Sequence, residues 1–247
     1  MRFIKYLSLE VVLGAVLYQY FIFDSYFNFF PSPSEGLLLA LVVWLIYLLD
    51  RQLDNIFQPI QDNRHQFHQE NTTTIWLIIA CIGIGIALLL PFQSKEVLKA
   101  GLALFCIILA YSFVYHKGWL GFEKEILTAV LYGLGVGLVV WVRDPHSFLF
   151  VITLAALAYQ NLCYFALIEK ESLFYASRLK KIEWILMGLM SGIYASNKDL
   201  FSVLPFLVTF GWTFILSRSP LSEECRFWAD LAFWSPLIYL IHGIFST

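Results

Sequence analysis

Charge is what this chain has least of. Only 14% of its 247 residues are charged, and no stretch is polar enough to coat a soluble domain. Acids and bases nearly cancel, and a formal net charge of −2 removes any electrostatic case for a nucleic-acid partner. Cysteine is sparse as well. Cys81, Cys106, Cys163 and Cys225 are scattered without a CxxC pairing, so neither a disulfide framework nor a zinc site is indicated. No internal repeat and no low-complexity linker divides the chain, which leaves one domain, residues 1–247, as the expected organisation. The opening MRFIKYLSLEVVLGAVLYQYFIF starts basic, but Glu10 interrupts its apolar run and no small-residue cleavage site follows. It reads as a retained first helix, not a removed leader.

Hydrocarbon takes the place of charge. Apolar residues make up 60% of the chain, aromatics 18%, and the mean hydropathy is +0.72, the profile of an integral membrane protein. Apolar runs lie near 6–23, 36–50, 72–91, 97–115, 125–142, 147–168, 182–196, 200–216 and 227–245. With their flanks, each is about long enough to cross a ~30 Å hydrocarbon core. Runs of this length are wrong for barrel strands, so the expectation is an all-α integral membrane bundle of nine transmembrane helices. Of the 16 Lys and Arg residues, all but Lys95, Lys99, Arg143 and Lys198 fall in loops on the amino-terminal side. That asymmetry places the N-terminus in the cytoplasm of a bacterial inner membrane and, for nine crossings, the C-terminus outside.

Against this background the few ionisable residues at membrane depth stand out, because each costs free energy and marks a candidate site. The run WLIYLLDRQLDN, residues 44–55, brings Asp50 and Asp54 onto one face of a helix with Arg51 between them. Acids near a helix C-terminus oppose the macrodipole, so a stabilising role explains them poorly. A second group closes the sixth run: Gln160 and Asn161 inside it, Glu169 and Glu171 at its end. Between the two lie Tyr115, Lys117 and Lys124, with Arg64 and Arg178 in neighbouring loops. Acidic helix ends ringed by cations suit a diphosphate held through Mg²⁺, where carboxylates take the metal and Lys or Arg neutralises the remaining phosphate charge. Aromatics beneath could stabilise an allylic cation.

The layout resembles the UbiA superfamily of intramembrane prenyltransferases, with nine helices and two acidic cytoplasmic motifs after helices two and six. The first family motif, Asn-Asp-x-x-Asp-x-x-x-Asp, falls on residues 46–54; Asp50 and Asp54 match it, while Ile46 and Tyr47 replace the leading Asn and Asp. The second, Asp-x-x-x-Asp, is represented by Glu169-Lys170-Glu171, with Leu173 where another acid is expected. The segment from Tyr115 through Lys117 to Lys124 is similar to the family's basic loop after helix four, and RFWADLAFWSPL near the end resembles divergent bacterial members. The resemblance implies an Mg²⁺-dependent enzyme acting on an isoprenyl diphosphate and a lipophilic acceptor. Asp50, Asp54, Glu169 and Glu171 would hold the metal, with Asp50 and Asp54 catalytic. Arg64, Lys117, Lys124, Tyr115, Asn161 and Arg178 would contact substrate.

Other readings stay open. Cyclisation of the same cation would make a terpene cyclase, and the thinned motifs fit a non-catalytic bundle that binds lipid or a partner. A small transporter fits less well, because mid-depth charges and paired broken helices are not evident. His65 and His68 could ligate a transition metal on a helix, but read more simply as a loop pair. Glu10, Arg226 and Asp230 could form an acid–arginine pair between the first and last spans. GLGVG at 133–137 has no strand before it, so it reads as small-residue helix packing and not a nucleotide loop.

Overall fold

The computed structural model describes residues 7–57, 63–116, 124–170, 173–219 and 223–245, with the side chains of all but a few residues at the ends of these stretches. Among the described residues the chain is helical and contains no strand. The helices are α1 (Leu9–Phe27), α2 (Pro33–Phe57), α3 (Asn63–Glu70), α4 (Thr72–Leu89), α5 (Lys95–His116), α6 (Lys124–Arg143), α7 (Phe148–Lys170), α8 (Leu173–Asn197), α9 (Leu204–Leu216), α10 (Glu223–Leu231) and α11 (Pro236–Phe245). Five stretches are long and apolar enough to cross a membrane: Pro33–Asn55, Thr72–Phe92, Lys95–Tyr115, Lys124–Arg143 and Pro145–Ile168. They make this an integral membrane protein by length and composition.

The other apolar runs are helical too, with differences that have local causes. The second run continues well past Asp50, to Phe57, since no glycine or proline intervenes. The seventh begins earlier, at Leu173, and carries Arg178, Lys180, Lys181 and Glu183 on its first turns. The last run divides: a 3-10 turn at Ala232–Trp234 separates α10 from α11. Pro236 explains the break, since it has no N–H to return to the Ala232 carbonyl.

Helix ends carry clear signals. Ser32 and Glu35 form a capping box at the start of α2, in which the Glu35 amide donates to Ser32 Oγ at 3.3 Å and the Ser32 amide to Glu35 Oε2 at 2.8 Å. Asn28 takes a positive φ of 57° just past α1, the left-handed stop that asparagine tolerates. Asp199 accepts the Phe201 and Ser202 amides at 3.1 Å and so turns the chain from α8 into α9.

The chain folds into two compact units, Met1–Val16 with Ser32–Leu120, and Leu17–Pro31 with Gly121–Thr247. In the first, α2 packs on α4 around Leu48, Ile75, Ile79 and Ile82, with Leu41, Trp44 and Leu45 against them. Trp44 Nε1 donates to the Leu7 carbonyl at 3.1 Å. Only 6% of the α5 span is buried within the molecule.

In the second unit α7 is the central helix, with 67% of its span buried, and it packs against both α6 and α8. The α6–α7 approach depends on glycine: a Cβ built at Gly133 would lie 2.7 Å from Ala155 Cβ, and one at Gly137 2.5 Å from a Val151 methyl. The GLGVG run is therefore a small-residue packing face, as its sequence indicated. Tyr18, Phe21, Phe206 and Phe233 form an aromatic core with ring centroids 5.4 to 6.2 Å apart.

Candidate functional site

In the first unit the acids of α2 surround an arginine. Asp54 is 5% exposed, and Arg51 Nη1 lies 3.9 Å from its Oδ2. Asp50 adds its field at the same guanidinium. Arg51 Nε donates to the Tyr47 hydroxyl at 3.1 Å, and its Cζ stands 5.3 Å from that ring's centroid. Tyr47 orients the cation through this hydrogen bond. Two carboxylates and a guanidinium thus share one turn at the end of an apolar helix. Tyr115 lies on the last turn of α5, half-buried, its ring 6.0 Å from Tyr111. His68 is fully buried on α3. The side chains of Arg64 and His65, and all of Lys117, lie outside the described residues.

The second unit gathers cations at one end. Tyr175, on the first turn of α8, donates to Glu125 Oε1 at 3.1 Å, which ties that turn to the start of α6 beside Lys124. Arg178 follows within a turn, its Cζ 4.8 Å from the Phe174 ring. Because α7 runs antiparallel to α6 and α8, its C-terminal end, where the backbone of Glu169 sits, reaches the same end of the unit. The Glu169 side chain and all of Glu171 lie outside the described residues. Asp50, Asp54 and Tyr115 thus belong to the first unit, and Lys124, Asn161, Glu169 and Arg178 to the second.

Deeper along α7, Asn161 has a definite partner. Its Nδ2 donates to Asp230 Oδ1 at 3.3 Å, and the two residues are each 6% exposed. Arg226, one turn earlier on α10, places its Cζ 4.7 Å from the Phe165 ring. Asp230 is thus hydrogen-bonded to an α7 amide. Gln160 beside it is completely buried, and neither of its amide atoms has a hydrogen-bond partner among the described residues. The polar residues inside this span were visible in the sequence; the partner of Asn161 on α10, 69 residues away, had no local signal.

A second buried network was not legible at all. Tyr18 OH lies 2.6 Å from Thr209 Oγ1, and Thr209 lies 2.8 Å from Ser235 Oγ. Thr209 donates to the Ala232 carbonyl at 2.9 Å and Ser235 to the Pro205 carbonyl at 2.9 Å. The Ala232 carbonyl is the one that Pro236 leaves without its helical amide. These hydroxyls join α1, α9 and the α10–α11 break, and serve structure.

None of the four cysteines forms a disulfide; Cys163 is buried, Cys225 half-buried and the other two exposed. Among the described residues no three His, Cys, Asp or Glu side chains gather as a metal-ligating group. Asp50 and Asp54 offer oxygen donors of the type a hard cation takes, and Arg51 competes for Asp54. Comparison with protein-family models, with curated proteins and with solved structures finds no match to this chain.

Proposed function

We propose that the protein is a membrane-embedded enzyme of isoprenoid chemistry, acting on an isoprenyl diphosphate and transferring the prenyl group to a lipophilic acceptor. The observation that carries this reading is the burial of Asp54 one turn from Asp50, at the polar end of the long apolar helix α2. Carboxylates at the end of a membrane-length apolar helix cost free energy and mark a candidate functional position. Asp50 and Asp54 would hold Mg²⁺ there, which would supply charge neutralisation for a leaving diphosphate. On the same reading Arg64 and Lys117, from the same unit's sequence, contact the diphosphate. A nine-span arrangement in a bacterial plasma membrane, with the N-terminus in the cytoplasm, accompanies this proposal. Terpene cyclisation is the same ionisation with an internal acceptor.

A second reading, a non-catalytic bundle that binds lipid or a partner, is favoured by one observation. Arg51, held by Tyr47, supplies Asp54 with an internal counter-ion at 3.9 Å. Purified protein incubated with Mg²⁺ and a panel of allylic diphosphates separates the two. The enzyme reading expects diphosphate release with at least one chain length, abolished by chelation and reduced at least ~100-fold by Asp50→Ala, the scale of losing a positioned electrostatic group. No release at any chain length makes the binding reading the correct one.

A further inference from the structure

α8 and α9 run antiparallel through the short 198–203 connection, and between them lies a half-open groove of about 400 Å³, within the ~300–1,000 Å³ typical of small-ligand sites. Lys180, Trp184 and Met187 line it from one face of α8, and Phe210, Phe214 and Arg218 from α9 and its end. Spacings of four and three residues along α8, and of four and four along α9 and its end, make the two walls continuous stripes. The register is pinned by Glu183, 7% exposed, whose Oε1 and Oε2 accept from Arg218 Nη1 and Nη2 at 2.9 and 3.0 Å. One end of the groove is therefore Lys180 with Arg218, and the other is Met187 with Phe210.

Two features choose the occupant. The groove runs from a cationic end to an apolar one, the polarity of a phospholipid entering head first. Charge is unbalanced at the cationic end: Arg178, Lys180, Lys181 and Arg218 stand against Glu183 alone among the side chains of α8 and the end of α9. Arg218 neutralises Glu183, and its Cζ also rests 3.3 Å from the Phe214 ring centroid, so it is fixed in place. Lys180 and Lys181 make no ion pair or hydrogen bond among the described residues. Trp184, 74% exposed, marks the changeover from basic to apolar residues along α8, where tryptophan prefers the headgroup boundary.

We infer that the α8–α9 groove is a binding site for one anionic phospholipid of the surrounding bilayer, its acyl chain between Trp184, Met187, Phe210 and Phe214 and its phosphate on Lys180 and Lys181. Basic pockets between membrane helices take anionic headgroups in this way. The inference stands on the membrane setting and does not require the enzymatic reading.

The test uses the full chain reconstituted into vesicles containing bromine-labelled phosphatidylglycerol or bromine-labelled phosphatidylcholine at equal mole fraction. Bromine quenches nearby tryptophan, and the difference between the wild-type protein and Trp184→Phe isolates the signal of Trp184. Expected is an association constant at Trp184 about fivefold or more higher for the anionic lipid, the scale set by one surface lysine. In Lys180→Gln/Lys181→Gln that preference should fall to about one, with quenching by phosphatidylcholine retained. These lysines lie outside the Glu183–Arg218 pair, so the variant keeps the contact that sets the register. Equal quenching by both lipids in the wild type would overturn the site. So would an absence of quenching by either, which would mean that something other than lipid covers the groove.

Discussion

Arg51 carries more of the local structure than its surroundings in the sequence indicate. It hydrogen-bonds Tyr47, faces Asp54 and answers the charge of Asp50, with its side chain 13% exposed. Arg51→Gln removes the guanidinium beside Asp54 and Asp50, and we expect it to lower stability by about 1–3 kcal/mol, the range for a hydrogen-bonded charged group. Adding Asp54→Asn should recover much of that loss, because the charge that faced the guanidinium is then removed as well. Thermal unfolding in detergent compares wild type, single and double variants. An unchanged single variant, or a double variant that melts lower still, contradicts the pairing. The acids were legible as a pair from their four-residue spacing. Tyr47 was legible only as a departure from a motif, and its role as the hydrogen-bond acceptor of Arg51 required coordinates.

Among the elements, α6 and α7 show how small residues replace bulk. Gly133→Ala and Gly137→Ala place a methyl against Ala155 and Val151 at 2.7 and 2.5 Å, so one helix must move. Overpacking of this kind costs about 1–3 kcal/mol. Gly188 has nothing within 4 Å of a built Cβ, and its replacement by Ala should be neutral or stabilising by up to about 1 kcal/mol through helix propensity. Chemical unfolding of the three variants in detergent reads the contrast, and equal stabilities would remove the close-packing account. Helix existence was clear from apolar run length, and the GLGVG face from its four-residue glycine spacing. Boundaries were less clear. Polar first turns such as that of α8 extend a helix beyond its apolar part, and a single proline divides what hydropathy alone reads as one span.

At the scale of the whole molecule, burial is unevenly shared between the apolar helices. The Lys95–Tyr115 span is 6% buried and the Pro145–Ile168 span 67%, although both are apolar enough for a bilayer. The first presents its side chains outward, with Leu102, Ile107 and Phe113 all more than half exposed. In water such a surface would aggregate, and in a membrane it is solvated by acyl chains. A lipophilic photoactivated carbene reagent dissolved in the bilayer should therefore label α5 heavily and α7 sparsely, as read by peptide mass spectrometry. Similar labelling of both helices would show that α5 is covered by another surface. Hydropathy could not distinguish these two helices, because composition records what a helix tolerates and not what packs on it. For the same reason the candidate site was legible as a set of residue types, while its division between two units was not.

The break before Pro236 bears on a matter of bookkeeping that hydropathy treats as settled. α10 and α11 have 9 and 10 residues. At about 1.5 Å per residue each extends roughly half the depth of a ~30 Å hydrocarbon layer. Joined end to end they complete a traverse; folded back on each other they dip in and return. Residues 232–235 thus decide whether the tally of crossings is odd or even, and with it which compartment receives the tail of the polypeptide.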